Sequence, residues 1–459
     1  MNAWRYLFPG VLAMLLFVAF PLVYTVQIGF TNYSASNLLS QERARGYLME
    51  QAEVNEARAY GYSLHADGDA VRLLLTPPGE GASGTRYLSP ALVLNTPATA
   101  PVVMQPVAGD PGLGAAFDLR QTIAHRDALQ ALRLALPDHS QLTYAGLREF
   151  AVFEPLWQPV AGGALKRLAD GVVYQPNRDS GYFESPQGDR LQPGFKVGVG
   201  LANYARLFGD ADMRGPFVSI FLWTVVFAGL TVLFSTAIGM TLAVLLNWEA
   251  LKYRTLYRTL LFLPYAVPGF ISILVFKGLF NQNFGEINAI LDAVFGVKPA
   301  WFADPTLAKT MILVVNTWLG YPYIMVLCTG LIKSIPADLY EASAIAGAKP
   351  LTNFWRITAP LIVKPLTPLL ISAFAFNFNN FVLISLLTDG RPDYLNTKLP
   401  AGTTDILVSY TYRIAFTDAG ANFGLAAAIS TVIFILVAIL SLVNLKLSQS
   451  KDDQPKGGH

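Results

Sequence analysis

Long apolar runs separated by short polar loops fill most of the chain, and one long polar block interrupts them early. A helix needs about 20 consecutive apolar residues to cross a bilayer. Six stretches meet that length: residues 4–30, 217–248, 256–280, 307–333, 357–387 and 423–445. The fifth is the least pure, because Asn377, Asn379, Asn380 and several prolines interrupt it. The first exceeds the apolar core of a cleaved leader, has only Arg5 as a basic side chain at its start and no small-residue cleavage signature after it. It reads as a retained span.

Basic side chains set the expected orientation, since Lys and Arg collect in cytoplasmic loops. They gather at the amino end, after the second stretch (Lys252, Arg254, Arg258), after the fourth (Lys333, Lys349, Arg356) and in the tail (Lys446, Lys451). The loop after the third holds Glu286, Asp292 and Asp304 against Lys298. Both termini are therefore expected in the cytoplasm, with residues 31 to about 215 outside it.

In that external block, Asp67-Gly68 lies between Tyr62-Ser63-Leu64 and Val71-Arg72-Leu73-Leu74, which predicts a β-hairpin. Pro-Gly clusters at 77–84 and 108–114 punctuate it, and its regular supply of Tyr, Leu, Val and Phe argues against disorder. The expected fold class is an all-α membrane protein of six transmembrane helices with an inserted, extracytoplasmic, mostly-β domain. Its parts are a first transmembrane helix at 1–30, the inserted domain at 31–198, a transmembrane core at 199–447 and a tail at 448–459.

Composition sharpens this reading. Hydrophobic residues make up 53% of the chain and charged ones 14%, where soluble chains carry about 25% charged. Charged side chains are expensive in hydrocarbon, which accounts for the deficit. A net charge of +2 gives no hold on nucleic acid. Cys328 stands alone, and His65, His125, His139 and His459 are scattered, so neither a disulfide framework nor a metal-ligand pattern emerges. No G-x-x-x-x-G-K-[ST] sequence occurs, so the chain has no phosphate-cradling loop of its own. No catalytic residue, metal or bound cofactor is expected on it.

Between the fourth and fifth stretches runs Pro336-Ala-Asp-Leu-Tyr-Glu-Ala-Ser-Ala-Ile-Ala-Gly-Ala-Lys-Pro350, continuing to Ile357-Thr-Ala-Pro360. Pro336 suits the first turn of a helix, and Asp338 and Glu341 favour its amino end. Ala342, Ala344, Ala346 and Ala348 leave it little bulk, and Gly347 breaks it. The predicted elbow is shaped to sit in another protein's groove.

This segment resembles the coupling loop of binding-protein-dependent ABC importers, whose pattern is Glu-Ala-Ala, three residues, Gly, nine residues, Ile-x-Leu-Pro. Glu341, Ala342, Gly347, Ile357 and Pro360 stand in register; Ser343 replaces the third small residue and Ala359 replaces Leu. Val199-Gly-Leu-Ala-Asn-Tyr204 with Leu207-Phe208, and Leu387-Thr-Asp-Gly-Arg-Pro392 with Tyr410-Thr-Tyr412 and Ala415-Phe416, extend the resemblance to sugar permeases. Over 365–387 and on to 416 the chain resembles the larger membrane subunits of maltose/maltodextrin importers. The likeness is firm over about 200–447, loose over the insertion, and begins after two amino-terminal helices that well-known members carry.

The resemblance implies a type I permease core that translocates maltose or maltodextrins across the cytoplasmic (inner) membrane. It also implies a second permease subunit, a dimer of ATP-binding subunits that uses ATP and Mg, and a periplasmic sugar-binding protein, with lipid around the helices. A permease for another sugar or polyol is the nearest alternative. An ion-coupled secondary carrier needs buried ionisable groups or inverted repeats, which the sequence does not display.

The fifth stretch holds Phe374-Ala-Phe376-Asn377-Phe-Asn379-Asn380-Phe381, and amides there cannot face lipid without partners. At helical spacing Phe376, Asn377 and Asn380 share a face, and Asn379 points elsewhere. The fourth stretch offers Asn316, Leu319, Gly320 and Tyr323 on one stripe. Amides, a phenol and aromatic faces suit an uncharged sugar, and Gly320 leaves room for a ligand; equally, asparagines glue membrane helices together. The resemblance implies that both stripes hold the sugar, with all seven residues matching and Ala373 standing where relatives carry Ser. Lys277 and Lys364 read as snorkelling side chains. Pro264, Pro268, Pro322, Pro365 and Pro368 read as kinks.

Overall fold

The computed structural model describes residues 2–78, 84–94, 100–109, 111–248, 250–395, 397, 399–417 and 420–449. Residues 79–83 and 110 of the two Pro-Gly clusters, Lys451 and all but the start of the tail lie outside the described residues. Two compact units share the chain: Leu38–Lys196, and Met1–Asn37 together with Val197–His459.

The unit Leu38–Lys196 is mostly β. Its larger sheet contains β1 (Ala52–Asp67), β2 (Ala70–Thr76), β3 (Arg86–Leu88), β4 (Val102–Val103), β5 (Gln105–Val107), β6 (Arg133–Ala135), β7 (Gln141–Gly146) and β8 (Glu149–Pro155), in the order β4-β6-β7-β8-β1-β2-β3-β5. Side chains two apart share a face of a strand. Leu73 and Leu75 of β2 therefore point together into a core with Leu64, Leu134, Leu142 and Phe150. The expected hairpin forms, with Asp67 paired to Ala70, so the turn residues are Gly68 and Asp69. Gly68 takes φ +64, a conformation glycine adopts without a Cβ penalty. A smaller sheet orders β12 (Tyr182–Glu184), β11 (Val173–Asn177), β10 (Leu165–Arg167) and β9 (Trp157–Pro159).

The other unit is helical. Its main helices are α1 (Tyr6–Gly29), α2 (Ala211–Asn247), α3 (Arg254–Ala266), α4 (Gly269–Leu279), α5 (Pro305–Lys333), α6 (Ala337–Ile345), α7 (Pro350–Phe378), α8 (Phe381–Leu387), α9 (Leu407–Tyr412) and α10 (Phe423–Gln449). Among the described residues α1, α2, α5 and α7 are each long and apolar enough to cross a membrane, α3 and α4 qualify only as a pair bent by 92°, and α10 offers the shorter apolar run Phe423–Ile439.

Two of the six apolar stretches thus differ from continuous helices. In the third, Pro268 has no N–H to donate and disfavours helical geometry at the residue before it. Val267 is accordingly extended, and the chain turns there. In the fifth, the helix stops at Phe378, Asn379 caps its end at φ −112, and Asn380 opens α8. By contrast, α5 and α7 run on through Pro322, Pro365 and Pro368.

The helices α2 and α5 approach closely along a seam of small residues. A Cβ added at Gly239 would lie 2.9 Å from Ile324 Cβ, and one at Gly320 would lie 2.8 Å from Ser235 Oγ. Small residues of this kind let helix backbones draw together in lipid. Met240, Ala243, Ile324, Cys328, Ile362 and Leu366 pack beside the seam, and Trp223, Phe227, Met311, Val315, Leu383 and Leu387 form a second cluster. Lys277, expected only to snorkel, donates from Nζ to the Leu386 carbonyl at 3.1 Å and satisfies one of the orphan acceptors that end α8.

The connection from α8 to α9 is clasped by charge. Asp405 is 0% exposed. Its carboxylate accepts from Gly402 N (2.7 Å), Ser409 Oγ (2.7 Å) and Arg413 Nη1 (2.8 Å), and Arg413 Nη2 donates to Asp393 at 2.7 Å. Two bonds tie the same segment to α2: Trp223 Nε1 to the Thr404 carbonyl at 3.4 Å, and Leu407 N to Thr224 Oγ1 at 3.0 Å.

Candidate functional site

The helices α2, α5 and α7 and the α3–α4 break surround a cavity of about 790 Å³. Asn316, Leu319, Gly320, Tyr323, Phe376, Asn377 and Asn380 all line it, and Ala373 does too. Thr231, Ser235 and Thr236 of α2, with Tyr265 and Phe270 beside the break, complete walls that the sequence reading left out. No ionised side chain stands among the described lining residues. The described residues also hold no group of three His, Cys, Asp or Glu side chains able to take a metal. What the cavity offers a ligand is hydrogen bonds and ring faces.

The amides meet at one depth and bond to one another in a directed chain. Leu383 N donates to Asn380 Oδ1 at 3.4 Å, and Asn380 Nδ2 donates to Asn316 Oδ1 at 3.3 Å. Asn316 Nδ2 donates to Asn377 Oδ1 at 2.7 Å and to Thr231 Oγ1 at 3.1 Å; Asn377 Nδ2 ends the chain on the Ala373 carbonyl at 2.8 Å. A backbone N–H fixes one end and a backbone carbonyl the other, so the orientation of every amide between them is set. Asn377 and Asn380 each have a second N–H that this chain of bonds does not use.

Two expectations about this site need correction. Asn379, expected off the stripe, stays outside the amide chain with its Nδ2 bonded back to the Ala375 carbonyl at 3.2 Å, yet it too borders the cavity. Gly320 leaves less room than expected, since Ser235 Oγ occupies the space its Cβ would take. Phe376 is 70% exposed and Tyr323 is also exposed, so one side of the cavity is open in this chain.

The predicted elbow forms α6, a turn and the start of α7. Gly347 at φ +72 supplies the left-handed turn residue. Glu341, Ala342 and Gly347 are exposed, Ser343 and Ile357 half-buried. Ile345 is 90% exposed, and Leu351 and Trp355 on the second arm are exposed too. Ser343, read as a mild departure, braces the bend: its Oγ lies 2.9 Å from Asn353 Oδ1. Tyr340 and Thr358 tie the two arms through their hydroxyls at 2.8 Å.

Comparison with known proteins places both units. Residues 39–200 match the family described as maltose transport system permease protein MalF P2 domain, and residues 235–449 match the binding-protein-dependent transport system inner membrane component. The maltose/maltodextrin transport system permease protein MalF of Klebsiella aerogenes is 52% identical over 98% of this chain and 88% of its own length. That of Escherichia coli strain K12 is 50% identical over the same shares. A chain of a solved bacterial ABC transporter involved in alginate import is 22% identical and covers 55% of this chain and 84% of its own, at a TM-score of 0.47. Half of all residues retained across nearly the whole length fixes the kinship: the chain belongs to the MalF family of maltose/maltodextrin transport system permease proteins.

Proposed function

We propose that this chain is a non-catalytic permease subunit of an ATP-driven importer and passes maltose and maltodextrins across the cytoplasmic membrane through the cavity of α2, α5 and α7. The observation that carries the reading is the lining: amides, hydroxyls and rings without an ionised group, as an uncharged polyhydroxyl ligand requires. Asn377 and Asn380 donate to sugar hydroxyls, Tyr323 adds a phenol, Phe376 packs on a ring, and Asn316, Leu319 and Gly320 form the facing wall.

All six apolar stretches act as spans in this reading, the third broken and the fifth ending in a capped restart. Both termini lie in the cytoplasm and the β-rich unit outside it. A second permease subunit closes the open side beside Phe376 and Tyr323. The exposed apolar side chains of the elbow, with Glu341, Ala342, Ser343, Gly347, Ile357 and Pro360, dock on a dimer of ATP-binding subunits that hydrolyse ATP with Mg. A periplasmic binding protein delivers the sugar. Ala373 offers no hydroxyl where relatives carry Ser, which favours comparing other sugars and polyols directly.

The test is uptake of labelled maltose, maltotriose, a disaccharide of different linkage and a polyol by the full complex in proteoliposomes. Saturable, ATP-dependent uptake of the maltodextrins supports the reading. Uptake of the polyol alone sinks it.

A further inference from the structure

We infer that Thr231 on α2 is a positioning residue for the sugar site: it holds Asn316, and through Asn316 the amides of Asn377 and Asn380, in their ligand-ready orientation. The inference rests on the reading that the cavity holds the sugar.

Threonines inside helices ordinarily donate back to the carbonyl four residues earlier. Thr224 and Thr241 of the same helix do so, each at 2.7 Å. Thr231 is turned to another task. It is 2% exposed, lines the cavity, and accepts the Asn316 N–H at 3.1 Å. Asn316 sits at the branch point of the directed chain, with both N–H groups and its oxygen engaged. Removing the Thr231 oxygen leaves one of those N–H groups without its acceptor at a buried position, Asn316 being 5% exposed. The amide then gains by turning toward whichever acceptor remains, and an amide turned over would set its oxygen against Asn377 Oδ1. The error passes along the chain to the two groups that face the ligand. One turn further on, Ser235 is 4% exposed, lines the same cavity, and its hydroxyl has no partner among the described residues. The α2 wall is thus polar where a neighbour meant only for packing would be apolar.

Thr231→Val keeps the shape and removes the oxygen; Thr231→Ser keeps the oxygen. The full importer complex, reconstituted in proteoliposomes, is measured for maximal uptake of labelled maltose, ATP hydrolysed per sugar delivered, half-saturation by sugar-loaded binding protein, and subunit content. Thr231→Val is expected to lower maximal uptake about tenfold, the scale of one buried hydrogen bond, and to raise ATP use per sugar. Half-saturation and subunit content stay unchanged, and Thr231→Ser restores uptake to within about twofold. Wild-type uptake by Thr231→Val alongside failure of Asn377→Ala overturns the positioning role only. Wild-type uptake by both removes the sugar-site reading itself. If Thr231→Val loses subunit content in step with uptake, at unchanged ATP per sugar, Thr231 is a packing residue and the inference fails.

Discussion

Replacing Arg413 with alanine is the sharpest test of how the α8–α9 connection is held. Asp405 is wholly buried, and in the variant it keeps only Gly402 N and Ser409 Oγ as partners. Breaking a buried pair from one side costs about 3–5 kcal/mol because a charge stays behind uncompensated. The second bond, to Asp393, lies on a half-exposed rim and adds at most about 1 kcal/mol. A unit of this size should then melt roughly 10 °C lower.

The damage also reaches the cavity. Thr404 and Leu407 are bonded to Trp223 and Thr224, two turns before Thr231 on α2, so sugar uptake should fall with stability. Pairing Arg413→Met with Asp405→Asn removes both charges, keeps one oxygen to accept from Gly402 N and turns an amide N–H toward Ser409 Oγ, and should recover much of the loss. The assay is thermal denaturation of the purified complex followed by the fraction still eluting as intact complex, with uptake measured in parallel. A single variant that melts within about 2 °C of wild type, or a double variant no better than the single, would refute the reasoning.

The elbow and the cavity carry further expectations. Gly347→Leu puts a side chain where φ is +72, at a cost of about 1–2 kcal/mol, and bulks a docking face; uptake should be lost while ATP hydrolysis by the complex persists, and normal uptake would count against the coupling role. Asn377→Ala and Tyr323→Ala should each cut uptake about tenfold or more with assembly intact, as judged by subunit content; Asn379→Ala, bonded outside the amide chain, should be milder. For sidedness, single cysteines at Asp179 and Ser343 in a Cys328-free background should react differently with an impermeant thiol reagent on cells with permeabilised outer membranes, Asp179 readily and Ser343 not.

The sequence made the long features legible because they rest on local chemistry. Apolar length marks spans, Gly68 marks a hairpin turn, and Gly347 between alanine-rich and proline-led segments marks an elbow. Of the two chain breaks inside spans, the one at Val267-Pro268 has a proline to announce it, and the one at Asn379-Asn380 has none. Pro268 and Pro322 look alike in sequence, yet a helix breaks before the first and runs on through the second. Thr231 gave no signal, because a lone threonine in an apolar helix ordinarily bonds to its own backbone. The Asp405–Arg413–Asp393 clasp joins two residues that flank α9 to one in the loop before it, and no periodicity announces it.

The seam between α2 and α5 has a bearing on how this cavity can be reshaped. Ser235 Oγ fills the space that a side chain at residue 320 would need, so the two positions behave as one shared volume. Gly320→Ala alone obliges the Ser235 hydroxyl to turn aside, whereas Gly320→Ala with Ser235→Gly exchanges one occupant for another and moves the filled space from one wall of the pocket to the other. Among relatives that take ligands of different girth, residues 235 and 320 should therefore change as a pair. An effort to widen the pathway by engineering gains from Ser235→Gly and loses from any enlargement at 320.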